Sequence, residues 1–311
     1  MVCGCAQNRA LPTAPVSVPA TVLIKASPKD GFYFPYLLRL PPQTNAPLCS
    51  FLLVEPNNSG HVSNNLEEHI AAARSLSETG VGADVSRRLS APLLMPAFPR
   101  SKDLYTHSLN RRTLVTKKKE LRRLDLQLLA MIADACRRLE KRGIQTDEKV
   151  LMTGFSASGA FVNRFTALHP EKVQASAVGA VNGILILPLR SLGATPLPFP
   201  LGVADLAMFG KTPFQFEEWK RVPQFNYMGA ADTNDAVQFD DAYTEGERKI
   251  IYELLGERMQ PDRWERCQAL YREAGASASF KTYQGIGHGT NGRIHSDIAE
   301  FFQNAMAAGQ Q

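Results

Sequence analysis

The chain has 311 residues, 44% of them hydrophobic, and a formal net charge of +5, which suits one large α/β domain or two small ones. No apolar run is long enough to cross a bilayer as a helix, and the densest basic run, Lys117, Lys118 and Lys119 with Arg122 and Arg123, lacks the interleaved aromatics of a nucleic-acid surface. The five cysteines, Cys3, Cys5, Cys49, Cys136 and Cys267, are too scattered for a disulfide framework or a zinc site; nothing else in the chain implies a metal or an organic cofactor.

Residues 1–20 read as a flexible leader rich in Pro and Ala. As written, no charged and apolar signal segment precedes Cys5, which points to the cytoplasm. The alternative is export: Val2-Cys3-Gly4-Cys5 resembles the end of a bacterial lipoprotein signal, and Cys5 would be the lipidated residue if the gene started upstream. Residues 21–27 and 32–40 are predicted strands joined by the turn Pro28-Lys29-Asp30-Gly31. A short strand at 50–54 runs into the polar turn of Asn57, Asn58 and Ser59. Asn64 with Glu67 fits a capping box for a helix whose buried face carries Leu66, Ile70 and Leu76. The next strand, 91–97, is broken by Pro96. A long loop over 98–116 leaves that strand's C-terminal end, which makes Arg100, Tyr105 and His107 candidate pocket residues. Residues 117–142 carry the clearest helical period, with Leu121, Leu124, Leu128, Ile132 and Leu139 on one face and Gly143 at its end.

Residues 149–170 organise the rest. A buried strand over 150–153 runs into Gly154-Phe155-Ser156-Ala157-Ser158-Gly159, and a helix carrying Phe161, Phe165 and Leu168 follows until Pro170. A serine on so tight a turn needs small neighbours two residues either side, here Gly154 and Ser158. The stretch resembles the nucleophile elbow of the α/β-hydrolase superfamily, with Ser158 where that family usually has Gly. From about residue 21 onward the element order is similar too, closest to the serine esterase and polyester-depolymerase-like branch. The resemblance implies a mostly parallel central sheet opened by an antiparallel hairpin, with helices on both faces. It also implies oxyanion-hole amides at Ala157 and in the loop after the third strand, where Asn58 stands instead of the usual His-Gly pair. The Pro- and Phe-rich insertion over 183–222 would form a cap over an apolar pocket, with Phe155, Phe199 and Trp219 among the candidate lining residues.

A serine hydroxyl needs a base, and the base needs a carboxylate to fix its tautomer. In this superfamily the order is serine, acid, histidine. Strands are predicted at 173–180, 224–228 and 279–284. The acid loop after 224–228 offers Asp232 and, three residues on, Asp235; the nearer acid, Asp232, is the better placed. His288 stands in Gly285-Ile286-Gly287-His288-Gly289 after the last strand. The other five histidines either precede the acid loop or, as His295 does, open the closing helix. Ser156, Asp232 and His288 therefore predict hydrolysis of a carboxylic ester through an acyl-enzyme, with apolar acyl or aromatic groups favoured by the insertion. A serine peptidase or amidase, or a catalytically silent binding protein on the same fold, are the other readings of the same residues.

Overall fold

The computed structural model describes residues 20–40, 49–102, 104–209, 213–240 and 242–308. The leader and Cys5 lie outside them, apart from Ala20. β1 (Thr21–Ile24) and β2 (Tyr36–Arg39) form the expected antiparallel ribbon. β3 (Leu53–Val54) leads to α1 (Leu66–Thr79), α2 (Val81–Leu89) and β4 (Leu93–Pro96). The loop after β4 carries the short helix α3 (Arg111–Val115), and α4 (Leu124–Glu140) follows. Next come β5 (Val150–Phe155), α5 (Ala157–Leu168) and β6 (Val173–Gly179). The insertion holds a small hairpin, β7 (Ser191–Leu192) with β8 (Thr195–Pro196), and α6 (Phe216–Arg221). β9 (Gln224–Gly229), α7 (Glu245–Leu255), α8 (Trp264–Glu273), β10 (Ala278–Tyr283) and α9 (Gly292–Ala308) complete the fold.

The main sheet runs β1-β2-β4-β3-β5-β6-β9-β10. β1, β2 and β4 pair antiparallel, and every pair from β4 through β10 is parallel. Its centre is β5 beside β6, whose Val150, Leu151, Met152 and Val178 are buried because helices cover both faces. One core fills the side of α4 and α5; the second joins α2 and α9 through Val85, Tyr227, Ile298 and Phe302.

Several elements depart from the pattern read in the sequence. The helix expected from residue 117 starts only at Leu124, because Arg123 takes a left-handed φ of 55°. Arg123 then pairs with the buried Asp125 at 2.7 Å. The N-cap of α1 is Asn65, whose side chain accepts from Glu67 N, rather than Asn64. Its buried face holds His69, Ala73 and Ser77, with Leu66, Ile70 and Leu76 only half-buried. Helix α2 is an addition to the pattern read in the sequence, with Gly80 as its N-cap and Gly82, a poor helix former, in its first turn. Gly82 is there for close approach: a Cβ on it would lie 2.4 Å from the Glu55 carboxyl. Thr244 and Glu247 form a capping box at the start of α7, the side chain of each meeting the other's backbone N–H.

The insertion lies between β6 and β9, but its described aromatics face the core. Phe199 packs on Phe209 at 5.8 Å and Trp219 on Tyr271 at 5.3 Å, and both are fully buried. They were expected at a pocket; a run of Leu, Pro and Phe is equally suited to filling the space beside α4 and α5, and that is where it goes.

Candidate active site

Ser156 sits between β5 and α5 with φ 59° and ψ −123°, a strained conformation for a residue with a Cβ. The strain is held by the sheet: Ser156 N donates to Gly179 O at 2.9 Å. Gly154 is obligatory here, since a Cβ would come within 2.4 Å of the Ser158 carbonyl oxygen. The second serine of the motif has a different task. Ser158 Oγ accepts from Phe155 N at 3.0 Å and donates to Phe155 O at 2.9 Å, closing the turn on itself. Ala157 is the first residue of α5, so its amide has no carbonyl one turn back to bond.

The acid and histidine loops are pressed together. A Cβ on Gly229, at the end of β9, would lie 2.4 Å from the carbonyls of Ile286 and Gly287, and Ala231 N bonds Ile286 O at 2.9 Å. This contact brings the buried Asp232 to His288, with Oδ2 2.9 Å from Nδ1. Asp232 Oδ1 accepts from Asn234 N at 2.9 Å, so both carboxylate oxygens are engaged. Phe155 packs on the His288 ring at 4.9 Å between centroids. The other ring nitrogen, Nε2, faces Asn234 Nδ2 at 2.9 Å, and no hydrogen bond joins it to Ser156. Asp235 belongs to another pair: it binds the buried Arg263 guanidinium and caps Val237 N at 3.0 Å.

The loop after β3 forms the facing wall. The Asn57 amide bonds both backbone groups of Phe98, N–H and C=O, at 3.0 Å each, stapling this loop to the one after β4. Asn58 lines a cavity of about 460 Å³ that it shares with Ser156 and His288. Arg100 and Tyr105 line it as well, with the guanidinium 3.9 Å above the Tyr105 ring. Asn182 reaches the same space and donates to the Tyr105 hydroxyl at 3.4 Å. Asn182, Asn234 and the half-exposed Phe239 escaped the sequence reading. The one available signal was their position just beyond the C-terminal ends of β6 and β9, where open α/β sheets place their sites.

His107 was a candidate for this wall and does not reach it. It is buried, bonds Phe98 O through Nε2 at 2.8 Å, and burial pushes its pKa down to about 3. His169 is spoken for by Asp125 at 2.9 Å, and His295 by Asp84 at 3.0 Å. Among the described residues, no group of three or more His, Cys, Asp or Glu could hold a metal ion, and no helix is long and apolar enough to cross a membrane.

Glu55 anchors the start of the same loop. Its carboxyl is buried and accepts from Gly82 N at 2.9 Å; burial pushes its pKa up from 4.5 to about 8, the amide opposing. A carboxyl raised in the folded state contributes stability that is full below its ordinary value and is lost as pH climbs through the raised one. Denaturation midpoints should therefore fall between pH 4.5 and about 8. Glu55→Gln, which stays neutral, should flatten that slope. An unchanged slope in the variant would assign the loss to other groups.

No protein-family model and no curated protein matches the sequence. Solved structures do match by shape. The poly(3-hydroxybutyrate) depolymerase LpqC of Bordetella parapertussis superposes with a TM-score of 0.56 at 17% identity, over 92% of this chain and 89% of that one. Poly(aspartic acid) hydrolase-1 from Sphingomonas sp. KT-1 gives 0.54 at 14% identity, over 92% and 97%. Together with the strand order, these similarities show that the chain has the α/β-hydrolase fold.

Proposed function

We propose that the protein is a serine hydrolase of carboxylic esters. The reading is carried by one observation: Ser156, strained on a turn at the head of a helix, opens into the same cavity as a histidine whose Nδ1 is held by a buried carboxylate. Asp232 accepts a hydrogen bond from Nδ1–H, which keeps the proton on Nδ1 and leaves Nε2 as the basic nitrogen. Ser156 Oγ attacks the ester carbonyl carbon while its proton passes to Nε2. The carbonyl π electrons move onto oxygen, where the Ala157 amide, a second amide in the loop of Asn58 and the α5 N-terminus favour the negative charge. Collapse expels the alcohol, which takes the proton from His288. Water then attacks the acyl-serine by the same route, its proton passing through Nε2 to Ser156 as the acid leaves.

The substrate expectation changes with the walls. Of the aromatics expected to line an apolar pocket, Phe199 and Trp219 lie in the core, whereas Phe155 and Tyr105 do line the cavity, which sets Asn58, Arg100, Asn182 and Asn234 beside Ser156 along with the apolar Ala236 and Phe239. Such walls match an ester with a polar acyl or alcohol part, because each amide or guanidinium left facing hydrocarbon loses hydrogen bonds to water. The two enzymes of similar fold are described as acting on a polyester and on poly(aspartic acid), both rich in carbonyl oxygen. A panel of p-nitrophenyl esters should give kcat/KM for 3-hydroxybutyrate and acetate at least tenfold above octanoate. The opposite order would restore the apolar reading, and faster cleavage of the matching anilides would make the protein an amidase.

A further inference from the structure

His288 is held at both ring nitrogens. Nδ1 lies 2.9 Å from the buried Asp232 carboxylate, which can only accept, so the proton sits on Nδ1 and the lone pair on Nε2. That lone pair is the one Ser156 requires, and it faces Asn234 Nδ2, a donor, at 2.9 Å. Asn234 is well rooted for this position. Its backbone N–H bonds the other oxygen of Asp232 at 2.9 Å, so its Cα moves with the acid that orients the histidine. Its side chain also lines the cavity, where a bound molecule would touch it.

We propose that Asn234 is a positioning residue that holds His288 Nε2 away from Ser156, and that a substrate filling its side of the cavity draws the amide off and releases the base. The proposal rests on the serine-hydrolase reading above. It gives the site a built-in preference: a substrate long enough to engage Asn234 activates the base, whereas a small ester must do without. The side-chain amide can also turn over and present Oδ1 to the protonated Nε2 once Ser156 has given up its proton, so the same residue serves both charge states of the ring.

The test uses the full-length protein and a small fluorophosphonate. In that reaction Ser156 Oγ forms a bond to phosphorus, fluoride leaves, and the Oγ proton goes to Nε2. Asn234→Ala keeps the backbone donor to Asp232 and removes only the amide. Asn234→Ser serves as a second variant, with a hydroxyl too short to span to Nε2. Both should label at Ser156 roughly two- to tenfold faster than wild type, the factor that one net hydrogen bond corresponds to. The ratio of kcat/KM for a 3-hydroxybutyrate ester over an acetate ester should fall by a similar factor, through the acetate rising. A slower or unchanged labelling rate in variants that melt like wild type would overturn the proposal and leave the mechanism standing, since an amide that merely supported the loop could not accelerate the serine when removed. In wild type, a phosphonate with a hydroxybutyl arm should label faster than its methyl analogue; equal rates would count against the proposal even if neither variant folds. Absence of label on Ser156 in every form would remove the serine-hydrolase reading itself.

Discussion

Ser156→Ala is expected to lower kcat on esters by up to about 10⁶-fold, the loss seen when a nucleophile is removed from a triad that acts as a unit. The substitution is a clean one. Alanine keeps the Cβ, so the strained φ of 59° and the bond from residue 156 N to Gly179 O are retained, and circular dichroism and melting temperature should match wild type. Only an oxygen facing the cavity is lost. The accompanying measurement is a fluorophosphonate adduct located by mass spectrometry: present on Ser156 in wild type, absent in the variant. Ser158 is the alternative acceptor two residues on. Its oxygen is already tied to both backbone groups of Phe155, and Ser158→Ala should weaken the turn rather than remove the nucleophile. Wild-type turnover in Ser156→Ala would end the ester-hydrolase proposal, and an adduct on Ser158 would move the nucleophile by two residues. A folded protein that takes no adduct at all would be the silent binding protein on this fold.

What the sequence disclosed and what it hid follow from the range of the forces involved. Turn chemistry is local. Gly154, the Gly-rich loop around His288 and the acid just beyond β9 are each forced by backbone contacts within a few residues or across one pair of strands, so they left marks in the chain. The same holds for the Thr244 capping box. Helix α2 was hidden because Gly80 at its N-cap and Gly82 inside it are poor helix formers, while the reason for Gly82 is the carboxyl of Glu55, 27 residues away. The start of α4 was hidden because apolar period continues through Leu121 across a left-handed Arg123. Phe199 and Trp219 misled for a different reason. Composition reports that a segment is apolar, and says nothing about whether it turns toward a cavity or toward the core. Asn182 and Asn234 have no period or motif at all. They join the site only through the closeness of the β6 and β9 ends, which is a property of the folded sheet.

Asp232→Asn is expected to lower kcat by about 10⁴-fold, as replacing the orienting acid does in the serine-protease triad, because the amide can present a donor to Nδ1 and favour the wrong tautomer. Asp235→Asn should behave in the opposite way. Asp235 faces Arg263, which is 1% exposed and has two guanidinium nitrogens, Nε and Nη1, without hydrogen-bond partners among the described residues. Neutralising Asp235 leaves a buried cation without its counter-charge, a loss on the order of 3 kcal/mol in stability. The arginine is tied to the acid loop at the residue after Asn234, so some slackening of the loop follows, yet the His288–Asp232 bond of 2.9 Å involves neither partner of that pair. The two substitutions should therefore separate cleanly: one costs turnover with the melting curve nearly unchanged, the other costs stability with kcat per folded molecule within about tenfold of wild type. Urea denaturation read beside active-site titration distinguishes them, since titration counts only competent molecules. If Asp235→Asn lost turnover and Asp232→Asn kept it, the carboxylate serving His288 during catalysis would be Asp235. The loop would then have to rearrange on binding substrate, breaking the Arg263 pair to free the acid.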